Sequence, residues 1–446
     1  MIRFALAAAL AGMAGGVQAR PPEYRLDYQL TATAGYSDNL YRSSPSSGDD
    51  VFSSFGGTID YRDQTRRVDA EVIGDLAYYV YSGNAGNELT GTFSGRVALG
   101  VVPEKFLWVF ENNFGQGIAD PLQPASPGNT EGINNFSTGP DFIFRFGDAN
   151  SARLSGRYSN VWYQDSLGDN DRYSGKLSLE HLLSSRSSVG LAGEVEAVKF
   201  TEPGVGPDYD RYEGYLTYRT QGARTGLTLD AGYTEISGGD VTDNGPLVRL
   251  SINRVVSPSS SVFIGGGYEY TDSGSFASRT SAGGTPGTPT DVLTTPEPYL
   301  DAYGSMGWTF ERVRTHAGVD LSYHDKTYLG TGTGDETSLQ FAGQVRRDLS
   351  ERFSLELYGS FRDVNYQNLD NQSLVADYTE WDLRATLSWR VMRTVSLLFS
   401  VDHWDRSDSG VTNGSDENRL WVGAAWSPRA KDHSLDVKTP GSTSGT

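Results

Sequence analysis

From Tyr24 to Trp426, apolar and polar residues alternate with a period of two, run after run. Tyr24, Leu26, Tyr28, Leu30, Ala32 and Ala34 hold one parity of the first run, and Arg25, Asp27, Gln29, Thr31 and Thr33 hold the other. The stretch KFLWVFENNFGQ (105–116) sets Phe106, Trp108, Phe110 and Phe114 on alternate positions, with Leu107, Val109, Glu111 and Asn113 between them. Successive strand side chains point to opposite faces, so each run predicts a strand with one apolar and one polar face. Further runs start near Phe55, Val68, Leu89, Asn135, Ser151, Asp171, Ser187, Tyr209, Arg224, Leu247, Ser261, Pro298, Arg314, Glu336, Phe353, Asp377, Val395 and Asn418. They number about twenty and are mostly about 9 to 13 residues long, the length a tilted strand needs to cross a bilayer.

The connections sort into two kinds. Short ones lie at 63–67, 102–105, 147–150, 184–186, 221–224, 257–260, 311–314, 350–352 and 391–393. Long polar ones lie at 37–50, 82–88, 116–134, 164–171, 201–208, 237–246, 272–296, 325–335, 364–377 and 405–417. The two kinds alternate strictly, as an up-and-down barrel with two unlike rims requires and a soluble sandwich does not. The first and last connections are both long, so the strand number is even and both termini share the short-turn rim. The expected fold is all-β: a transmembrane up-and-down antiparallel β-barrel of about 20 strands, 18 being the alternative, with short periplasmic turns and long extracellular loops.

A chain of mean hydropathy −0.44 with 37% apolar residues still carries these aromatic rows, and lipid accounts for them. Hydrocarbon takes the apolar face, water takes the polar one, and closure pairs every backbone polar group. Tyr36, Phe106, Trp108, Phe146, Trp162, Tyr173, Tyr212, Tyr233, Tyr270, Trp308, Tyr323, Trp381, Trp389 and Trp426 fall near run ends, as candidates for interfacial girdles or as general lipid-facing bulk. The first residues, MIRFALAAALAGMAGGVQA, have a basic residue, a short apolar run and a small-residue end, the layout of a secretory signal peptide cleaved after Ala19. Residues 1–19 are thus expected to be the export signal, 20–427 the outer-membrane barrel and 428–446 a flexible tail. No run approaches the roughly 20 apolar residues of a membrane helix.

The chain has no cysteine, so stability rests on size and environment rather than disulfides. Loss of residues 1–19 leaves 36 basic residues against 56 acidic, a net charge of −20, which argues against nucleic acid as a partner. Much of the excess acid falls in the long connections, at Asp49, Asp50, Asp240, Asp243, Asp408, Asp416 and Glu417. It reads as solvated loop charge, cross-linked by divalent ions at a lipopolysaccharide surface.

The polar parity supplies a candidate lumen lining: Arg96, Arg145, Arg157, Arg211, Arg249, Arg346 and Arg384, with Glu111, Glu213, Asp301 and Glu356, and with Tyr79, Tyr215 and Tyr303. Positive and negative lumenal residues nearly cancel. Two readings fit: charges and rings that contact hydrated sugars, with aromatic faces stacking on pyranose rings, or cross-lumen ladders that hold the wall open. The connections 272–296 and 116–134 are long enough to fold inward as a constriction or to remain on the surface.

No motif of bond chemistry emerges, and neither an enzyme nor a cofactor is expected. His316, Asp320 and His324 share one strand face, but at ~3.4 Å per residue neighbours in that set lie about 13 Å apart, too far for a triad or a metal site. No G-x-S-x-G, H-E-x-x-H or P-loop occurs. A nutrient transporter gated from the inner membrane would need a plug domain before the barrel, and strands begin within about five residues of the expected cleavage site.

Several strings carry a resemblance: GYSDNLYR (35–42), FENNFGQ (110–116), STGPDFIFRFG (137–147), DYDRYEGYLTYR (208–219) and LDAGYT (229–234). Together they resemble the β-barrel porins of exopolysaccharide operons and PEP-CTERM-associated gene clusters of Gram-negative bacteria, over most of the mature chain. That resemblance implies an outer-membrane protein tied to polysaccharide secretion, with lipid, lipopolysaccharide, polysaccharide and other secretion components as partners. It brings no assigned functional residues. Such barrels commonly end on a terminal aromatic, whereas about twenty residues follow Trp426 here. The expected function is a porin-like conduit or accessory for exopolysaccharide. The alternatives are a general diffusion porin and a structural or receptor barrel acting through acidic loops.

Overall fold

The computed structural model describes residues 23–428 except 47, 84–85, 121–122, 204, 240, 276–294, 296, 331–333, 368–376 and 409–413. The expected signal peptide, nearly all of the tail, Asp240 and most of the 272–296 connection therefore lie outside the described residues. Twenty strands form one sheet. They are β1 (Glu23–Ser37), β2 (Asp50–Gln64), β3 (Val68–Tyr81), β4 (Asn87–Val102), β5 (Phe106–Ile118), β6 (Thr130–Phe146) and β7 (Asn150–Tyr163). Then follow β8 (Asn170–Ser184), β9 (Ser187–Phe200), β10 (Tyr209–Gln221), β11 (Thr225–Gly238), β12 (Val241–Ser257), β13 (Ser260–Thr271) and β14 (Tyr299–Arg312). The last are β15 (Thr315–Tyr328), β16 (Asp335–Asp348), β17 (Phe353–Gln367), β18 (Tyr378–Arg390), β19 (Val395–Asp408) and β20 (Ser415–Trp426).

Each strand pairs antiparallel with its successor, and β20 returns to β1 from Leu30 opposite Trp426 to Ser37 opposite Arg419. The sheet is a closed up-and-down barrel of the expected even strand number. Closure removes the edges that hydrocarbon would leave unpaired, which is why the fold can cross a membrane.

The strands run longer than the apolar alternation implied, 12 to 17 residues. Pairing continues into polar sequence at the long-loop rim, because a backbone ladder needs no apolar face. The 237–246 segment shows this most clearly. It was expected to be a long loop, but β11 and β12 pair out to Gly238 opposite Val241, and Gly239 turns the chain at φ 55°. The strict alternation of long and short connections fails there, although the order of the rims does not.

The outward face is apolar: Leu30, Phe55, Phe144, Leu216, Met306, Phe341, Leu383 and Val422 are all exposed. The inward face holds the buried polar residues, together with apolar clusters such as Phe52, Leu398, Trp421 and Ala425. Most girdle candidates are outward and exposed, but Tyr270 is 3% exposed, packed with Val198, Tyr209 and Ile236.

Candidate functional site: the lumen and its inward turn

Side chains two or more strands apart can meet only inside the barrel, and such contacts define the lumen. Arg249 of β12 reaches Glu213 of β10 at 3.0 Å, and Arg211 of β10 donates to the Tyr270 carbonyl of β13 at 3.2 Å. Around them Arg211 pairs with Glu196 at 2.7 Å, and Arg249 also binds Glu269, which accepts from Tyr303 Oη at 3.2 Å. Lys176 Nζ lies 2.8 Å from Glu194 and 2.5 Å from Tyr215 Oη. Asp301 faces His324 at 3.1 Å.

A second stretch of wall closes the barrel seam. Arg384 lies 3.2 Å from Asp402, whose other oxygen accepts from Trp421 Nε1 at 3.1 Å. Tyr79 stacks on Tyr81, with ring centroids 6.0 Å apart, and leans on Phe52. Thr33, Phe52, Tyr79, Arg384, Asp402, Arg419 and Trp421 line a cavity of about 30 Å³, room for one water.

Of the remaining sequence candidates, Arg96 pairs with Glu111 at 3.2 Å and Arg157 with Asp141 at 2.9 Å. Arg346 and Glu356 stand opposite each other on β16 and β17. Arg145 lies at the end of the inward face. It is the next-to-last residue of β6, half exposed at the short-turn mouth and paired with Glu104 of the turn at 2.8 Å. Glu417 is not loop charge: it is 1% exposed in β20, bound by Arg42 at 2.9 Å, by Arg419 and by Ser37 at 2.5 Å. Asp408 likewise turns inward to Arg406 at 2.6 Å. These pairs mostly join neighbouring strands, a ladder along the wall rather than spokes across the lumen.

The residues that do cross the interior follow β13. Residues 273–275 form one helical turn, and Thr271 to Ser275 are all buried. Arg172 of β8 holds Asp272 through both oxygens, at 2.6 and 2.9 Å, and donates to Ser275 Oγ at 2.9 Å. Tyr209 Oη donates to Asp272 at 2.9 Å, Tyr163 Oη contacts Ser273 Oγ at 2.7 Å, and Asn135 Nδ2 donates to the Gly274 carbonyl at 3.0 Å. The turn thus spans from β13 to β6, β7, β8 and β10. Burial alone would raise the Asp272 carboxyl, but the Arg172 guanidinium outweighs it, with help from Arg211 and Tyr209, and holds the group well below the usual carboxylate range.

Two more connections tuck in at the same rim. Asn39 and Leu40 are buried, and Arg42 lies over the Trp404 ring at 4.2 Å while donating to the Ala125 carbonyl at 2.8 Å. Sequence reading allowed 116–134 and 272–296 to fold inward. It missed Asp272 and Trp421, because a lone Asp in a loop and a Trp of undetermined parity carry no periodic signal.

A closed, lipid-facing barrel with a polar, partly narrowed interior is a transmembrane barrel of the outer-membrane type. No family model matches the chain, and no curated protein does. Among solved structures, the siderophore receptor PirA from Pseudomonas aeruginosa matches at 13% identity and TM-score 0.43, over 92% of this chain and 81% of that one. The FrpB iron transporter from Neisseria meningitidis matches at 8% identity and TM-score 0.44, over 90% and 82%. The ferric citrate transporter FecA, unliganded, matches at 9% identity and TM-score 0.45, over 90% and 78%.

Proposed function

We propose that this chain is an outer-membrane conduit for hydrated polar solutes, and that its cargo is exopolysaccharide. One observation carries the reading. Arg384, Asp402, Tyr79 and Trp421 share one patch of inward wall, rings beside a charged pair, inside a barrel narrowed by the Asp272 to Ser275 turn. Rings offer faces to pyranoses, while guanidinium and carboxylate groups exchange hydrogen bonds with hydroxyls as water leaves. The likeness of the 35–42, 110–116 and 208–219 strings to porins of exopolysaccharide operons supports the same cargo. On this reading the chain is exported by residues 1–19, its short turns face the periplasm, and it performs passage rather than catalysis.

Deletion of the gene is expected to lower surface polysaccharide while leaving small-solute uptake intact. The purified barrel in planar bilayers is expected to give a stable conductance that added polysaccharide interrupts. Loss of small-solute uptake with polysaccharide unchanged would assign a general diffusion porin instead.

A further inference from the structure

The outward surface is charged asymmetrically along the barrel axis. At the long-loop end, outward positions carry carboxylates, among them Glu235, Asp325, Asp363 and Asp405. At the short-turn end, outward positions carry Arg254, Arg312 and Arg347, all exposed, with Asp63 as an opposing charge on β2. Neither the overall charge nor the lumen explains cations on a hydrocarbon-facing wall.

Register gathers two of them. Arg312 of β14 stands opposite Thr315 of β15, and Thr315 stands opposite Arg347 of β16. With strands ~4.8 Å apart, the two arginines flank the threonine at a backbone separation of about 10 Å. Arg347 Nη1 donates to Thr315 Oγ1 at 3.1 Å, and Arg312 lies over the Phe310 ring at 5.7 Å, so neither contact supplies negative charge. Apolar side chains surround the pair: Val313 is 73% exposed and Val345 45%. Trp308, two outward positions above Arg312, donates to Ser260 Oγ at 2.7 Å, the posture of a ring at the interface.

We infer that the row Arg312, Thr315 and Arg347 binds the phosphate of an anionic phospholipid in the leaflet beside the short turns. A guanidinium fork matches phosphate oxygens, and the arginine stems lie on apolar surface while their heads reach the headgroup layer. The exposed Val345 and Phe341 above the row offer a track for acyl chains, which a free phosphate would not use. Phosphatidylglycerol brings no cation of its own, whereas the ammonium of phosphatidylcholine opposes the arginines.

The test is native mass spectrometry of the full barrel in detergent, titrated with phosphatidylglycerol or phosphatidylcholine. Folding is checked by heat-modifiable gel mobility. The wild-type protein should retain phosphatidylglycerol preferentially, and each of Arg312→Gln and Arg347→Gln should reduce that preference roughly five-fold. Arg312→Lys should preserve most of it, and Lys199→Gln at the opposite rim should leave it unchanged. Equal retention of both lipids by the wild type would overturn the assignment. So would displacement of bound lipid by inorganic phosphate at millimolar levels, or binding of soluble polyglutamate to the same arginines in preference to lipid.

Discussion

Arg172 and Asp272, a hundred residues apart, meet inside the barrel through two hydrogen bonds of 2.9 and 2.6 Å, and both side chains are about 4% exposed. Four strands, β9 to β12, separate β8 from β13 around the wall, so the pair fixes the turn after β13 against a distant part of the interior. Breaking one half of a buried ion pair leaves the other charge uncompensated, a cost of roughly 3–5 kcal/mol. Arg172→Ala should therefore send the turn out to water rather than unfold the barrel. Unitary conductance in planar bilayers is expected to rise, with gel mobility of the folded form unchanged.

The same pair sets an acid limit. The Asp272 carboxyl is held well below its ordinary range, so its contribution is complete above the unfolded value of about 3.9 and fades as pH falls through the lower folded value. Conductance is expected to stay flat from about pH 7 to about pH 4. An opening step near pH 5 to 6 would show that another group controls the turn.

Gly91 in β4 tests closure of the wall itself. Its φ is +114°, and a Cβ there would lie 2.0 Å from the Asp75 carbonyl oxygen of β3. Gly91→Val adds the strain of a disfavoured backbone, about 1–3 kcal/mol, to a backbone clash that no rotamer relieves. The folded fraction after refolding into detergent should drop severalfold on a heat-modifiable gel.

Trp421 and Tyr79 test the cargo reading. Trp421→Ala leaves Asp402 paired with Arg384 but removes the ring from the inward patch. If sugars stack there, the residence time of oligosaccharide blocks should shorten by roughly tenfold, equivalent to ~1.4 kcal/mol. Unchanged block times in both Trp421→Ala and Tyr79→Ala would remove the rings from the transport path.

Most of the architecture was legible because period-two alternation is imposed by lipid on one side and water on the other, as in the 24–34 run that became β1. What escaped was whatever lipid does not dictate. The 237–246 segment is polar on both faces, so nothing in it announced that β11 and β12 would pair to Gly238. Arg145 has the inward parity but sits one residue from the strand end, and its partner Glu104 lies in the short turn, outside any alternating run. Glu417 reads as loop charge until barrel closure brings Arg42, just after β1, beside it to join Arg419 of its own strand. The Asp272 latch depends on a chord across the interior, which neighbour-to-neighbour patterning cannot encode.

The absence of native cysteine permits the most direct test of a water-filled lumen inside a hydrocarbon-facing wall. Single cysteines at Glu356 and Ser360, inward on β17, and at Leu357 and Phe361, outward, would be exposed to a membrane-impermeant thiol reagent in proteoliposomes. The account predicts that Glu356→Cys and Ser360→Cys are modified and that current falls as they react, while Leu357→Cys and Phe361→Cys stay unmodified. Modification at the outward positions, or none at the inward ones, would contradict it.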